Sequence, residues 1–187
     1  MRKSERWEKR QLEHYSPAIE GKTVPPRYIK FRDQYLPPPP LKIVDCGCAG
    51  GDITKELKDK GYEIIGIDYP EVTEKTKKKY PDLTFYSCDL NDGIPIAIHD
   101  IDWVYASELC EHITHDFDFL ISCYECLKLG GKVYITVPRH AAKWGGHLRF
   151  YPEESMRNLL WSAGFEVITV DKTFSSLIVI GEKKDDE

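Results

Sequence analysis

From residue 41 onward the chain alternates short runs rich in β-branched apolar residues with longer segments of helical period, and few folds accommodate that alternation. Residues 41–45, 62–67, 83–86, 102–106, 132–137, 165–170 and 175–180 read as strands. Between them, residues 52–60 place Ile53 and Leu57 on one helical face, with Gly61 as a natural stop. A polar helix is expected over 71–79. Over 117–129, Phe117, Leu120, Tyr124 and Leu127 recur at helical spacing, and Gly130 and Gly131 end the run. A further helix starts at Pro152, buries Met156, Leu159, Leu160 and Ala163, and closes at Gly164. The pattern predicts the α/β class: a doubly wound, mostly parallel seven-stranded sheet with helices on both faces and a C-terminal antiparallel hairpin turning across 171–174. Such sheets bind ligands at the carboxyl ends of their strands.

The first forty residues lack this alternation. A charged helix is expected over 4–15, capped by Ser4 and ended before Pro17. An irregular stretch follows, with Pro25, Pro26, Tyr28, Phe31 and Tyr35, and then a stiff connector, Pro37 to Pro40. We read residues 1–40 as an arm, either linker or lid, and 41–187 as the domain. The net charge of −5 offers no global attraction to nucleic acid, although basic residues outnumber acidic ones in the arm. No apolar run approaches the roughly 20 residues that span a bilayer, and the N-terminus has no apolar signal-peptide core. A cytoplasmic protein with reduced thiols is expected. The Cys46–Cys48 pair and the Cys123–Cys126 pair are then buried apolar residues rather than zinc ligands, since a C-x-C spacing is atypical of structural zinc.

The loop after the first strand is Asp45-Cys46-Gly47-Cys48-Ala49-Gly50-Gly51. It has neither the G-x-G-x-x-G spacing of a dinucleotide site nor the G-K-[ST] of a P-loop, which disfavours a nicotinamide dehydrogenase. Three acids stand at successive strand ends: Asp45, Asp68 and Asp89. A carboxylate after the second strand suits a ribose diol. Acids beside the loop suit a cationic ligand better than a pyrophosphate.

This loop resembles the first motif of class I S-adenosylmethionine-dependent methyltransferases. Asp102 to Ser107 resembles the fourth motif of that superfamily, Gly130-Gly131-Lys132-Val133 its turn into the fifth strand, and the last two strands its closing hairpin. The resemblance implies S-adenosylmethionine as cofactor. Gly47, Cys48, Ala49 and Gly51, with Asp45, would wrap its methionine part, Asp68 would hold its ribose and Asp89 would meet its adenine amine, with Tyr69, Leu90 and Ser107 as further cofactor-binding residues. Ala49 occupies a position where the commonest motif has glycine.

The acceptor should then meet the segments 107–112 and 138–151. If Glu108 begins a helix, Glu108, Glu111 and His112 share one face, and His147 can join from the later loop. Two carboxylates and two imidazoles would hold a divalent ion of the magnesium or manganese type, or a later transition metal. Without metal, His112, Glu111 and His147 are the candidate catalytic groups; Arg149 and Tyr151 are candidates for a polar substrate, and Tyr151 alternatively staples the following helix. The E-x-x-E-H segment with a later histidine resembles metal-assisted O-methyltransferases, one branch acting on RNA 3′ ends and another on catechol-type quinone precursors. The expected function is methylation of a hydroxyl on a small molecule, by a monomer or homodimer without membrane attachment. Two alternatives stay open: a metal-dependent RNA 3′-end 2′-O-methyltransferase, and a catalytically inactive cofactor-binding partner subunit.

Overall fold

A computed structural model describes residues 26–140 and 147–185. The expected helix over 4–15 lies outside the described residues, as do Gly145 and Gly146. Twelve principal elements follow in order: α1 (Pro26–Tyr35), β1 (Lys42–Cys46), α2 (Asp52–Asp59), β2 (Glu63–Asp68), α3 (Pro70–Lys79), β3 (Thr84–Ser87), β4 (Ile101–Ser107), α4 (Asp116–Cys126), β5 (Leu127–Pro138), α5 (Glu153–Ser162), β6 (Phe165–Lys172) and β7 (Ser176–Lys183). The strands form one sheet of seven in the order β3-β2-β1-β4-β5-β7-β6. Pairings among β1 to β5 are parallel, whereas β7 runs antiparallel to both β5 and β6.

The order follows from burial. β1 is buried from its second residue, Ile43, onward, and both of its faces are covered, as a central parallel strand requires. One face of the sheet carries Ile43, Trp103, Tyr105, Tyr134, Ile178 and Ile180 beneath Leu36 and Leu57. The other carries Val44, Val104, Ala106, Val133, Ile135 and Val179 against Phe119, Leu120 and Cys123 of α4 and Met156 and Leu160 of α5. All six cysteines are unpaired thiols.

Two expectations change. Residues 26–35, read as irregular, form α1, with proline at the first helical position where its missing N–H does no harm. The helix is part of the packed body. Arg32 is fully buried, and its guanidinium donates to Glu56 of α2 (2.9 Å) and to Asp33 (2.6 Å). Tyr35 donates to Asp171 of β6 (2.5 Å) and lies against Tyr134, ring centroids 6.4 Å apart. Secondly, α4 ends at Cys126 rather than near residue 129, and Leu127 already pairs with Ile101. Lys183 of β7 donates to the carbonyls of Tyr124 and Leu127, both at 2.8 Å. A distant lysine thus satisfies the end of this helix before the glycines are reached.

Replacing Arg32 by alanine removes a buried cation held by two carboxylates and empties its site. Because Glu56 and Asp33 are partly solvated, the expected loss is roughly 2–4 kcal/mol in urea unfolding, below the ceiling for a fully buried pair. A loss under about 0.5 kcal/mol would place α1 outside the cooperative unit.

Candidate active site

β1 connects to β2 on one side of the sheet, and β4 connects to β5 on the other. The carboxyl ends of the paired strands β1 and β4 therefore flank the crevice where the winding reverses. The glycine loop leaves β1 there, and residues 108–112 leave β4.

The loop is folded onto β2. The N–H groups of Gly47 and Cys48 both donate to the carbonyl of Ile67 (2.8 and 3.0 Å), and that of Gly51 donates to Cys48 (2.8 Å). Ala49 donates to Asp68 Oδ2 (2.8 Å), and Tyr69 N–H to Asp68 Oδ1 (2.7 Å). From α3, Thr76 donates its hydroxyl to the Ala49 carbonyl (2.8 Å). With these donors engaged internally, the loop is not a phosphate cradle. Asp68 is held in place by two backbone donors, and each carboxylate oxygen keeps a further acceptor position. Gly47 and Gly51 have φ of +73° and +75°, and Ala49 has φ of +46°. The glycine common at position 49 has a physical reason: an alanine there carries left-handed strain of about 1 kcal/mol.

Asp45 is buried and accepts from the Thr54 hydroxyl (2.7 Å). Burial pushes its carboxyl up to about 6, helped by the nearby charge of Asp68 and opposed by the Thr54 bond. Burial also pushes Asp68 up to about 6, against its two backbone donors. Asp89 caps a single 3₁₀ turn, Leu90–Asp92, and its Oδ1 accepts from both the backbone and side-chain nitrogens of Asn91 (2.8 Å each). Leu90 is buried, and the Tyr69 hydroxyl lies 3.4 Å from Asn91 Nδ2. Ser107 shares a hydrogen bond with Thr136 (2.8 Å), whose hydroxyl also accepts from Glu108 N–H (3.0 Å).

The segment after β4 does not begin a helix at Glu108. Glu108 has φ of +52°, and Cys110–His112 form a 3₁₀ turn. The three residues therefore do not share a helical face. The compact group is Glu111, His112 and His147, whose donor atoms lie within 4.8 Å of one another. Glu108 stands outside that group but close enough for its charge to act on Glu111. Burial, then that charge, raises the Glu111 carboxyl to about 8. Both its oxygens are buried and accept no hydrogen bond among the described residues. His112 Nε2 is 3.9 Å from Glu111 Oε1, and the His112 and His147 rings meet edge to face at 4.9 Å.

His147 is brought in by tertiary contacts. Leu148 N–H donates to the Glu111 carbonyl (2.7 Å). Arg149 pairs with Asp116 (2.6 Å) and donates to the Thr114 carbonyl (2.9 Å). Tyr151 is buried and donates its hydroxyl to Asp116 (2.6 Å) and the Cys110 carbonyl (3.0 Å). Arg149 and Tyr151 thus clamp one segment to another. Sequence reasoning missed Asn91, Asp116 and Thr136. The capping half of Asn91 was visible in the Asp-x-Asn spacing; the rest needed the fold.

The sequence matches the family described as "Methyltransferase domain" over residues 21–170. The ubiquinone biosynthesis O-methyltransferase of Mus musculus, a mitochondrial protein, is 32% identical over 104 residues, covering 51% of this chain and 28% of the relative. Its counterpart from Bos taurus is 27% identical over 160 residues, covering 70% and 42%. The chain thus spans less than half the length of these relatives. An S-adenosylmethionine-dependent methyltransferase from Mesorhizobium loti superposes with a TM-score of 0.72 over 88% of this chain and all of that one, at 15% identity, a likeness of fold.

Gly51 and Gly130 share a φ of +75° but not their surroundings. A Cβ at Gly51 would meet the buried Thr76 Cγ2 at 2.5 Å, whereas one at Gly130 meets nothing within 4 Å. Alanine at 130 should cost about 1 kcal/mol of backbone strain. Alanine at 51 should cost roughly 1–3 kcal/mol more from overlap, read as the difference in chemical-denaturation midpoints. Equal losses would mean that Thr76 yields.

Proposed function

The chain belongs to the methyltransferase-domain family, within the class I S-adenosylmethionine-dependent methyltransferases, and from that membership we propose that it transfers a methyl group to a hydroxyl of a small molecule. The observation that carries this reading is the β1–β2 corner. The N–H groups of Gly47, Cys48, Ala49, Gly51 and Tyr69 are engaged internally, while the ionisable carboxyls of Asp45 and Asp68 stand at the crevice. That donor set fits a ligand with cationic centres and a diol, and does not fit a pyrophosphate. Asp68 would accept from the ribose hydroxyls, the 47–51 loop would lie along the methionine part, and Asp89 would meet the adenine amine. When bound, the cofactor supplies a methyl group already activated on a sulfonium. The chain's own task is to align an acceptor, exclude water and manage a proton.

Glu111, His112 and His147 suit that task. An imidazole beside a carboxyl can take the proton of an acceptor hydroxyl. The same three residues would hold a divalent cation: the set is one carboxylate and two imidazoles, with the buried Glu111 oxygens accepting no hydrogen bond among the described residues. A cation there would lower the pKa of an acceptor hydroxyl. A hydroxyl acceptor agrees with the names of the relatives, which describe those longer proteins.

Calorimetric titration with S-adenosylmethionine tests the cofactor half. Binding in the micromolar range is expected, weakened at least about tenfold by Asp68→Ala, corresponding to the loss of a charge-assisted pair of hydrogen bonds. No heat with wild type would overturn the proposal. The affinity should also depend on pH. The Asp68 and Asp45 carboxyls titrate near 6, so both are ionised above that value and protonated below it. Affinity should be constant above pH ~7 and fall as pH drops through 6, by up to about tenfold per unit for each carboxylate that must be ionised. In a labelled-methyl assay on phenolic acceptors, His112→Ala should lower turnover by about 10²-fold or more. If chelation leaves turnover unchanged, the metal-free version stands; if it abolishes turnover and manganese restores it, the cation version does.

A further inference from the structure

We propose that Asn91 is a positioning residue that ties the adenine side of the cofactor site to the corner carrying Glu111 and His112. The inference rests on the reading that the cofactor lies against Asp89.

Asn91 is buried, at 9% exposure, and its amide is divided between two sites. On one side Nδ2 and the backbone N–H both donate to Asp89 Oδ1, at 2.8 Å each, with Tyr69 OH 3.4 Å from Nδ2. On the other side Oδ1 accepts from Thr114 N–H (2.7 Å) and the Thr114 hydroxyl (2.6 Å). A more distant N–H, that of His115, lies at 3.4 Å, and His115 Nδ1 lies 3.3 Å from the Asn91 carbonyl. The amide orientation is determined by these partners: a carboxylate needs the donor end, and an N–H needs the oxygen.

The corner held by Oδ1 continues directly to the proposed acceptor groups. Thr114 follows His112 by two residues, and its carbonyl accepts from Arg149 (2.9 Å). Arg149 pairs with Asp116, which also receives the Tyr151 hydroxyl (2.6 Å each). Between them the segment returns to Glu111 through Leu148 N–H (2.7 Å). A contiguous hydrogen-bonded path thus runs from Asp89, through Asn91 and Thr114, to the segment bearing His147. An isosteric carboxylate at 91 would repel Asp89, and a shorter side chain would reach neither side. Only a planar group with a donor and an acceptor at opposite ends satisfies both. Ordering Asp89 against an adenine therefore also orders the corner. Such coupling raises the affinity for an acceptor once the cofactor is present, and by linkage the reverse.

Hydrogen–deuterium exchange with S-adenosylhomocysteine as probe tests this on the full chain. In wild type, saturating probe should slow exchange about threefold or more both at 45–51 and at 108–116. In Asn91→Ala the probe should still bind by calorimetry and still slow 45–51, but the slowing at 108–116 should vanish. A merely structural role would speed exchange at 108–116 equally with and without probe, leaving their ratio unchanged, and that result overturns the proposal. Loss of probe binding in Asn91→Ala also overturns it, since Asn91 would then be a direct ligand. If Asn91→Ala does not fold, Thr114→Val, which removes one of the two strong donors to Oδ1, carries the test: the ratio at 108–116 should fall towards one, and an unchanged ratio counts against the coupling. Wild type that fails to bind the probe refutes the cofactor reading itself. Wild type that binds it without slowing 108–116 refutes this inference alone.

Discussion

β1 pairs in parallel with β2 on one side and β4 on the other, and the chain leaves the two central strands in opposite directions. No crossover can cover the carboxyl ends of both, so a crevice forms above these two largely buried strands. The glycine loop, Asp68, Ser107 and the Cys110–His112 turn stand at that opening because their strands end there. The helices hold the two strands flush and shape the rim. α3 contributes Thr76 to the loop carbonyl, and α4 begins with Asp116, the anchor for Arg149 and Tyr151.

Charge at the rim is managed by two opposite devices. Asp45 and Asp68 are held by one hydroxyl and two backbone donors, which do not offset the cost of removing them from water, and their carboxyls therefore titrate near 6. Glu111 is more extreme. Its buried carboxyl oxygens accept no hydrogen bond among the described residues, and burial, then the charge of Glu108, raises the carboxyl to about 8. On the far face Arg32 is handled the other way, with two carboxylates closing around a buried cation. The carboxyls at the crevice are left under-compensated, and the cation that ties α1 to α2 is compensated in full.

Much of this was legible beforehand. The strand spans over β1 to β7 agree with the alternation of the sequence to within a few residues at most ends, because each strand is a short run rich in β-branched and aromatic residues. The loop 45–51 and the acids at 68 and 89 were recognisable because they lie next to strand ends in sequence. Where reading failed, the cause was non-local. α4 stops early because Lys183, some sixty positions away, takes its last carbonyls. Residues 26–35 are helical because Arg32 and Tyr35 find partners on α2 and β6. Glu108 does not begin a helix: its backbone is left-handed, with φ of +52°, and its N–H is bonded across to Thr136 on β5.

By itself the sequence determined the class of fold, the position of the crevice and the chemistry of the loop, since these follow from periodicity, glycine placement and acids adjacent in the chain. It named His147 as a partner of Glu111 and His112, but the folded chain decided their meeting. Their approach depends on Leu148 N–H, Arg149 and Tyr151 closing onto 110–116, across some thirty-five residues. The tertiary structure also decided the contacts of Arg149 and Tyr151, which anchor one segment to another, and of Asn91, which bridges Asp89 and Thr114. Hydrogen bonds between segments far apart in sequence leave no periodic trace, so that part of the site exists only once the sheet has assembled.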